Sequence, residues 1–306
     1  CSIFVSAPQH ARGLSKSSPG RIYGCDIVVT NTERDSFAYL YGLRHECTDA
    51  QGEDVVLDSR IRVYGAGEYR WVYGLYFQDG GLRGNRVDCS ADTSNSVVSG
   101  ITRFYYQGDT DANSVRVAAP AGSSARALHM DALFDPSAVL RARDNILCML
   151  GGADGQGILV SDAFAGTFEN SYNLVYGSST LFSNCIAGVG TVTNDPRWVD
   201  DLLHLDPDSS AVDAGVLLPW MITGHDYEED PRVDGVAVDS GADEWFQQPT
   251  LLATWLSNGL VATEWRSVTD GVYRIEAATG LVSSVWEDGG GSVTAQTDKV
   301  LLTLPI

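Results

Sequence analysis

The sequence predicts an all-β fold in which short strands coil into a stack of parallel rungs, and three observations carry that prediction. First, four blocks share one pattern of apolar residue, any residue, Gly or Ala, then Leu or Ile. They are Leu40-Tyr41-Gly42-Leu43, Val72-Tyr73-Gly74-Leu75, Val98-Ser99-Gly100-Ile101 and Met130-Asp131-Ala132-Leu133. The small residues stand at 42, 74, 100 and 132, so the steps are 32, 26 and 32 residues, a period typical of stacked repeats. Second, an apolar block precedes each of them: Ile27-Val28-Val29, Val55-Val56-Leu57, Arg86-Val87-Asp88 and Val115-Arg116-Val117. Third, Val, Ile, Tyr and Phe fall in short runs broken by Gly, Asn, Asp and Ser, with little helical periodicity.

Taken in order, residues 22 to about 190 supply two or three strands per step, and Gly42, Gly74, Gly100 and Ala132 are expected to form a column of small residues at a crowded corner. Asn145, Asn173 and Asn194 suit turns, where a side-chain amide can bond free backbone groups. Residues 191–247 change character: they hold 14 of the 40 acidic residues and read as a non-repetitive close to the coil. After Gln247-Gln248-Pro249 the repeat stops. The remaining residues alternate as strands, as in Val272-Tyr273-Arg274-Ile275-Glu276, with turns expected at Asp270-Gly271 and Gly289-Gly290-Gly291. The predicted organisation is therefore a coil over 1–247 and a small β-sandwich-like module over 248–306 that docks or is incomplete.

Composition narrows the function. At 306 residues the chain can bury a large core, and no apolar run approaches the roughly 18 residues a membrane span needs. The net charge of −20 repels nucleic acid and anionic membranes, so neither is an expected partner. It also repels acidic polysaccharides unless a cation or a local arginine patch intervenes. Cysteines at 1, 25, 47, 89, 148 and 185 form no metal-ligand spacing. Cys89 and Cys148 lie in strand-like runs and are expected to be buried free thiols, with a disulfide elsewhere left open. The chain opens at Cys1 without a basic leader, as expected of a processed protein or a fragment.

The end of the coil carries a resemblance. Asn194-Asp195-Pro196-Arg197-Trp198-Val199-Asp200, Ser210-Ala211-Val212-Asp213-Ala214-Gly215, Asp230-Pro231-Arg232 and Val238-Asp239-Ser240-Gly241-Ala242-Asp243-Glu244 resemble the last coils of secreted right-handed parallel β-helix proteins, the pectin-lyase-like group. This chain departs by Trp198 for Phe, Ser210 for Pro and Asp243 in an aromatic or polar slot. The likeness is specific over about 140–245 and loose over 22–140. It implies a right-handed parallel β-helix and a secreted or cell-surface location; it transfers no catalytic residue.

Aromatics at Tyr64, Tyr69, Trp71, Tyr73, Tyr76, Phe77, Phe104, Tyr105 and Tyr106 are expected to line a stripe on the coil, and Tyr69, Trp71, Tyr73 and Tyr105 are the candidate carbohydrate platform. Inward stacking of the same rings is the competing expectation. Arg70 and Arg103 flank the stripe as candidates for pairing with acidic sugars. Asp109 and Asp111 form an oxygen-rich loop that suits either a calcium ion or a solvated turn. Arg70, Arg103, Asp109 and Asp111 are also the first suspects for catalysis, since hydrolysis needs two carboxyls and elimination a base beside a cation. The doublet Asp200-Asp201 reads more simply as a turn cap, and the five histidines are scattered. The expected role is a non-catalytic β-helix protein, a monomer or a segment of a larger surface protein, that binds or is displayed toward polysaccharide or cell-surface glycan. The alternative is a polysaccharide lyase or glycoside hydrolase working on the outer face near 70–135. No cofactor other than calcium is suggested.

Overall fold

In the computed structural model the chain separates into two compact units, Cys1–Trp245 and Phe246–Ile306. The structure describes residues 1–245 except 19, 32, 34–36, 47–54, 68–69, 105–107, 132–135, 138, 152–153, 229 and 234–236, and the backbone of five strands in the second unit.

The first unit is a parallel β-helix of about six turns, in which every third strand belongs to the same sheet. Sheet one stacks β1 (Ser2–Ala7), β4 (Asp26–Asn31), β7 (Arg60–Gly65), β10 (Arg86–Ala91), β13 (Ser114–Ala118), β16 (Ile146–Leu150) and β19 (Leu174–Tyr176). Sheet two stacks β2 (Ala11–Lys16), β5 (Ala38–His45), β8 (Arg70–Phe77), β11 (Val97–Arg103), β14 (Ser124–Met130), β17 (Asp154–Val160) and β20 (Thr180–Ser183). Sheet three stacks β3 (Arg21–Tyr23), β6 (Val55–Leu57), β9 (Gly81–Arg83), β12 (Gly108–Asp111), β15 (Val139–Arg143) and β18 (Thr167–Ser171).

Alternation along each strand puts one row of apolar residues inside, and parallel register places like on like. Ile27, Ile61, Val87, Val115, Leu147 and Val175 form one such row from sheet one, and Leu43, Leu75, Ile101, Leu128, Ile158 and Phe182 one from sheet two. Except for Phe182, which packs partly buried against them, these side chains are fully buried in one continuous core.

The corner within sheet two explains the repeated small residue. Gly13, Gly42, Gly74, Gly100, Ala127 and Gly157 succeed one another along it. A Cβ on Gly42 would press on Ile61 and stand 2.7 Å from the Gly74 carbonyl oxygen, and the same crowding recurs coil after coil. The fourth marker is thus Ala127 and not Ala132, because Ile101 pairs with Leu128; Ala132 and Leu133 lie outside the described residues. The second apolar block is corrected likewise: Val55-Val56-Leu57 forms β6 of sheet three, and Ile61-Arg62-Val63 takes the equivalent place in sheet one.

A second column turns the chain from sheet three into sheet one. Asn85 Nδ2 donates to Asn113 Oδ1, Asn113 Nδ2 to Asn145 Oδ1 and Asn145 Nδ2 to Asn173 Oδ1, each at 2.9 Å. Each amide also donates to a carbonyl of the preceding coil, Val56, Leu82, Thr110 and Ala142 in turn. The buried polar atoms of the corner are satisfied by one another. The residue before each asparagine has positive φ, which Gly84 adopts without strain and Ala112, Asp144 and Tyr172 hold against it.

The regular coil ends at β20, with isolated bridges Ser171↔Val189 and Leu174↔Val192 beginning one more rung. Residues 193–245 do not form the final coils that the resemblance implies. They run back as an irregular tail over the outside of sheet one. Val216 N donates to Asp144 Oδ1 at 2.8 Å, Ala242 N to Ser114 Oγ at 2.9 Å, and Arg60 Nη2 to the Asp201 carbonyl at 3.1 Å. Leu205, Ala211, Trp198 and Trp245 pack on Ile146 and Leu174, outward residues of β16 and β19. No helix occurs among the described residues.

Cys1 and Cys25 form a disulfide across the first coil, so not every thiol is free. Cys89 is buried in the core and Cys148 beneath the tail, both free as expected, while Cys47 lies outside the described residues. In the second unit β21 (Leu251–Ser257), β22 (Leu260–Arg266) and β25 (Lys299–Pro305) form an antiparallel sheet, and β23 (Val272–Ala277) pairs with β24 (Glu287–Thr294). The glycines at 289–291 therefore run inside a strand where a turn was expected.

Candidate functional site

Two rows of outward side chains flank the sheet-two corner. One runs Arg12, Tyr41, Tyr73, Ser99, Arg126 and Gln156; the other runs Ser15, Arg44, Tyr76, Thr102, His129 and Leu159. The register that stacks the core thus stacks the aromatics. Tyr41 and Tyr73 lie 5.1 Å apart and nearly parallel, and Tyr76 meets both edge-on at 5.5 and 5.3 Å. Tyr39 and Trp71 form an adjoining row, 5.8 Å apart and tilted by 41°. Arg12 and Arg44 lie over the Tyr41 ring at 5.6 and 5.1 Å.

Below the tyrosines the side chains become small, then basic. Ser99 and Thr102 bond each other at 2.7 Å on the coil between Tyr73 and Tyr76 on one side and Arg126 and His129 on the other. Arg126 Nη1 stands 3.5 Å from His129 Nδ1, and His129 Nε2 4.0 Å from Asp131 Oδ1. Burial first and the Arg126 charge second push the His129 pKa down to about 4, so its imidazole is neutral at physiological pH. Burial raises Tyr76 to about 12 and Tyr73 further, keeping both hydroxyls protonated.

The residues singled out from sequence divide sharply. Trp71 and Tyr73 face outward in this site, while Tyr69 and Tyr105 lie outside the described residues. Phe77 points inward onto His45 at 4.3 Å, and Tyr64 belongs to sheet one. Arg70 is buried, donating to the Ala66 and Glu33 carbonyls at 2.7 and 2.8 Å. Arg103 is equally buried, donates to the Gly80 carbonyl at 2.8 Å and packs over Phe77. Neither arginine reaches the outer face. Asp109 and Asp111 lie on sheet three among Arg83, Arg141 and Arg143; Arg143 holds both Asp111 oxygens at 2.9 Å. A calcium ion there would have to displace guanidinium groups from both carboxylates.

A separate cluster joins the tail to β10. Arg86, 1% exposed, donates to Glu228 at 2.8 and 3.1 Å and to Asp243 at 2.7 Å. His204 lies 2.6 Å from Asp200 and 2.6 Å from Glu228 through its two ring nitrogens. His204, Glu228 and Asp243 are the one group among the described residues with ligand atoms close enough for a metal ion. Arg86 sits on both of its carboxylates and already supplies the positive charge, so the cluster reads as a polar clasp.

That clasp predicts a pH dependence. An imidazole donates from both nitrogens only as the cation. Partial burial opposes the charge, but the Glu228 and Asp200 bonds outweigh it and raise the His204 pKa above its ordinary value. A raised folded pKa gives stability that is complete below the unfolded value of about 6.5 and is lost as pH rises through the folded one. Urea midpoints measured from pH 5.5 upward should fall across that window in the native protein and change less in His204→Gln. Identical profiles would show that the clasp does not depend on the imidazolium.

Comparison with protein-family models, curated proteins and solved structures found no match. No helix among the described residues is long and apolar enough to cross a membrane.

Proposed function

We propose that this β-helix binds carbohydrate along the outer face of sheet two, as a secreted or cell-surface protein and without catalysis. The observation that carries this is the outward Tyr39–Trp71 row beside the Tyr41–Tyr73 stack. Tyr41 and Tyr73 cover each other's ring faces, whereas Trp71 is tilted by 31° from Tyr73 and 41° from Tyr39, and Tyr39 is 36% exposed. A partly uncovered indole on a rigid strand is a suitable platform for the apolar face of a sugar ring. The Cys1–Cys25 disulfide supports an oxidising compartment.

The test is binding to a panel of soluble polysaccharides by affinity electrophoresis. Trp71→Ala is expected to weaken the best ligand about tenfold or more while the protein stays folded. Unchanged retention would remove the aromatic row from the site. A second reading, a polysaccharide lyase or glycoside hydrolase in the same groove, is favoured by the neutral His129 beside Arg126, a base next to a cation. New reducing ends or unsaturated-sugar absorbance after incubation would select it.

A further inference from the structure

We propose that Arg126 is an anion seat within the sheet-two face, so that the glycan bound there carries an oxyanion substituent, a carboxylate or a sulfate ester. This rests on the carbohydrate reading and adds the chemical class of ligand.

The argument begins from how this chain treats its other cations. In a protein of net charge −20, carboxylates are abundant. Eight arginines of the first unit lie within ion-pair distance of one among the described residues. Arg70, Arg103 and Arg232 are buried and donate to backbone carbonyls. Among the described residues Arg12 and Arg21 have no such carboxylate either but are exposed to water, whereas Arg126 is half-buried and does neither. Among those residues its one side-chain contact at hydrogen-bonding distance is His129 Nδ1 at 3.5 Å; its buried Nε lacks a partner just as those of Arg62, Arg86 and Arg232 do, so the donors it offers a ligand are those of the Nη groups. A guanidinium part-way out of water with unused donors is costly unless something accepts from it.

The surroundings select the acceptor. His129 contributes no positive charge, and its Nδ1 stands 3.5 Å from Arg126 Nη1, which leaves the remaining Nη donors to a ligand. Ser99 and Thr102 bond each other, and no hydrogen bond joins either hydroxyl to the guanidinium among the described residues. Tyr73 and Tyr76 stand on the far side of the buried Ser99 and Thr102, so protonated phenols lie two coils from Arg126 on the same face. Arg44 and Arg12 continue the positive character toward the aromatic platform, though Arg44 is shared with Glu46. A planar fork of N–H donors matches a carboxylate or a sulfate, and the net charge of −20 disfavours polyanions where no such donor stands. The result is an oriented site: sugar face on Trp71, oxyanion on Arg126.

The test uses polygalacturonate against its fully methyl-esterified form, which keeps the ring and removes the charge, and dextran sulfate against dextran for the other source. The native protein should prefer a charged polymer, with affinity falling as salt is added, while the neutral partner is insensitive to salt. Arg126→Gln should weaken the charged polymer by about ten- to a hundredfold and leave the neutral one unchanged; Arg126→Lys should fall between. Preference for polygalacturonate assigns a carboxylate, and preference for dextran sulfate a sulfate ester. Neutral polymers bound as tightly as charged ones, or an equal loss on both in Arg126→Gln, would overturn the anion seat and leave the carbohydrate reading standing. Binding of no polymer would overturn both. The salt dependence of the native protein decides the matter even if the glutamine variant fails to fold.

Discussion

Gly74→Val should prevent the β-helix from closing. A Cβ at 74 would press on Val87 Cγ1, stand 2.6 Å from the Gly100 carbonyl oxygen and 2.8 Å from Cys89 Sγ. Two of these are core atoms and the third is backbone of the next coil, so no rotamer relieves the clash. Overpacking a core typically costs about 1–3 kcal/mol, and a collision that separates two stacked coils belongs at or beyond the top of that range. The column itself suggests how the cost can be reduced. Gly13, Gly42, Gly74, Gly100 and Gly157 each face Ile27, Ile61, Val87, Val115 or Val175, all β-branched. The one alanine of the column, Ala127, falls by the same step opposite Leu147, the one residue of that row without a branch at Cβ. Gly74→Ala alone should therefore lower the denaturation midpoint, and Gly74→Ala with Val87→Leu should recover part of the loss. Additive losses in the double variant would show that the backbone contact, and not the methyl of Val87, sets the limit.

This column was the part of the fold most legible in the sequence, because a steric requirement that repeats with every coil leaves a repeating small residue. The repeated pattern marks it at 42, 74 and 100, and at the fourth coil the pattern at 132 lies five residues from the true corner at Ala127. The five-residue offset bears on the site. Outward and inward positions alternate, so placing the corner at 132 instead of 127 hid the fact that Arg126 follows Tyr41 and Tyr73 on one row and His129 follows Tyr76 on the next. Arg70 and Arg103 are expected on the groove only because they flank the aromatics in sequence; both sit on the inward phase at the strand ends. The asparagine ladder left a signal that could have been used. Asn85, Asn113, Asn145 and Asn173 each stand just before a strand of sheet one, at 28-, 32- and 28-residue steps. The path of the tail left none, because its contacts with β7, β10 and β13 join residues 85 to 157 positions apart and have no period.

Arg86→Met should free the tail without unwinding the coil. Arg86 occupies the outer face of β10 between Arg60 and Ser114, with its guanidinium shared by Glu228 and Asp243 and stacked on Tyr227 at 5.3 Å. Burial alone would disfavour its charge, but the Glu228 hydrogen bonds and the two acidic neighbours raise its pKa, so it is held as a cation. Methionine replaces the stem and removes the charge, leaving Asp243 buried and Glu228 half-buried with His204 as the remaining cation nearby. Breaking a buried pair by deleting one partner costs about 3–5 kcal/mol, far more than an exposed pair is worth. The cost falls on the tail, because β10 keeps its ladder to β7 and β13 and its inward Val87 and Cys89 whatever happens outside. Limited proteolysis of the variant should cut within residues 193–245 at protease levels that leave the native protein whole, and the strand-rich circular dichroism should persist. Arg86→Lys should be intermediate, since a lysine keeps the charge and loses the two-pronged bond to Glu228. Loss of the whole strand signal together with tail protection would show instead that the tail and the coil fold as one unit, with the clasp holding the rungs of sheet one in place.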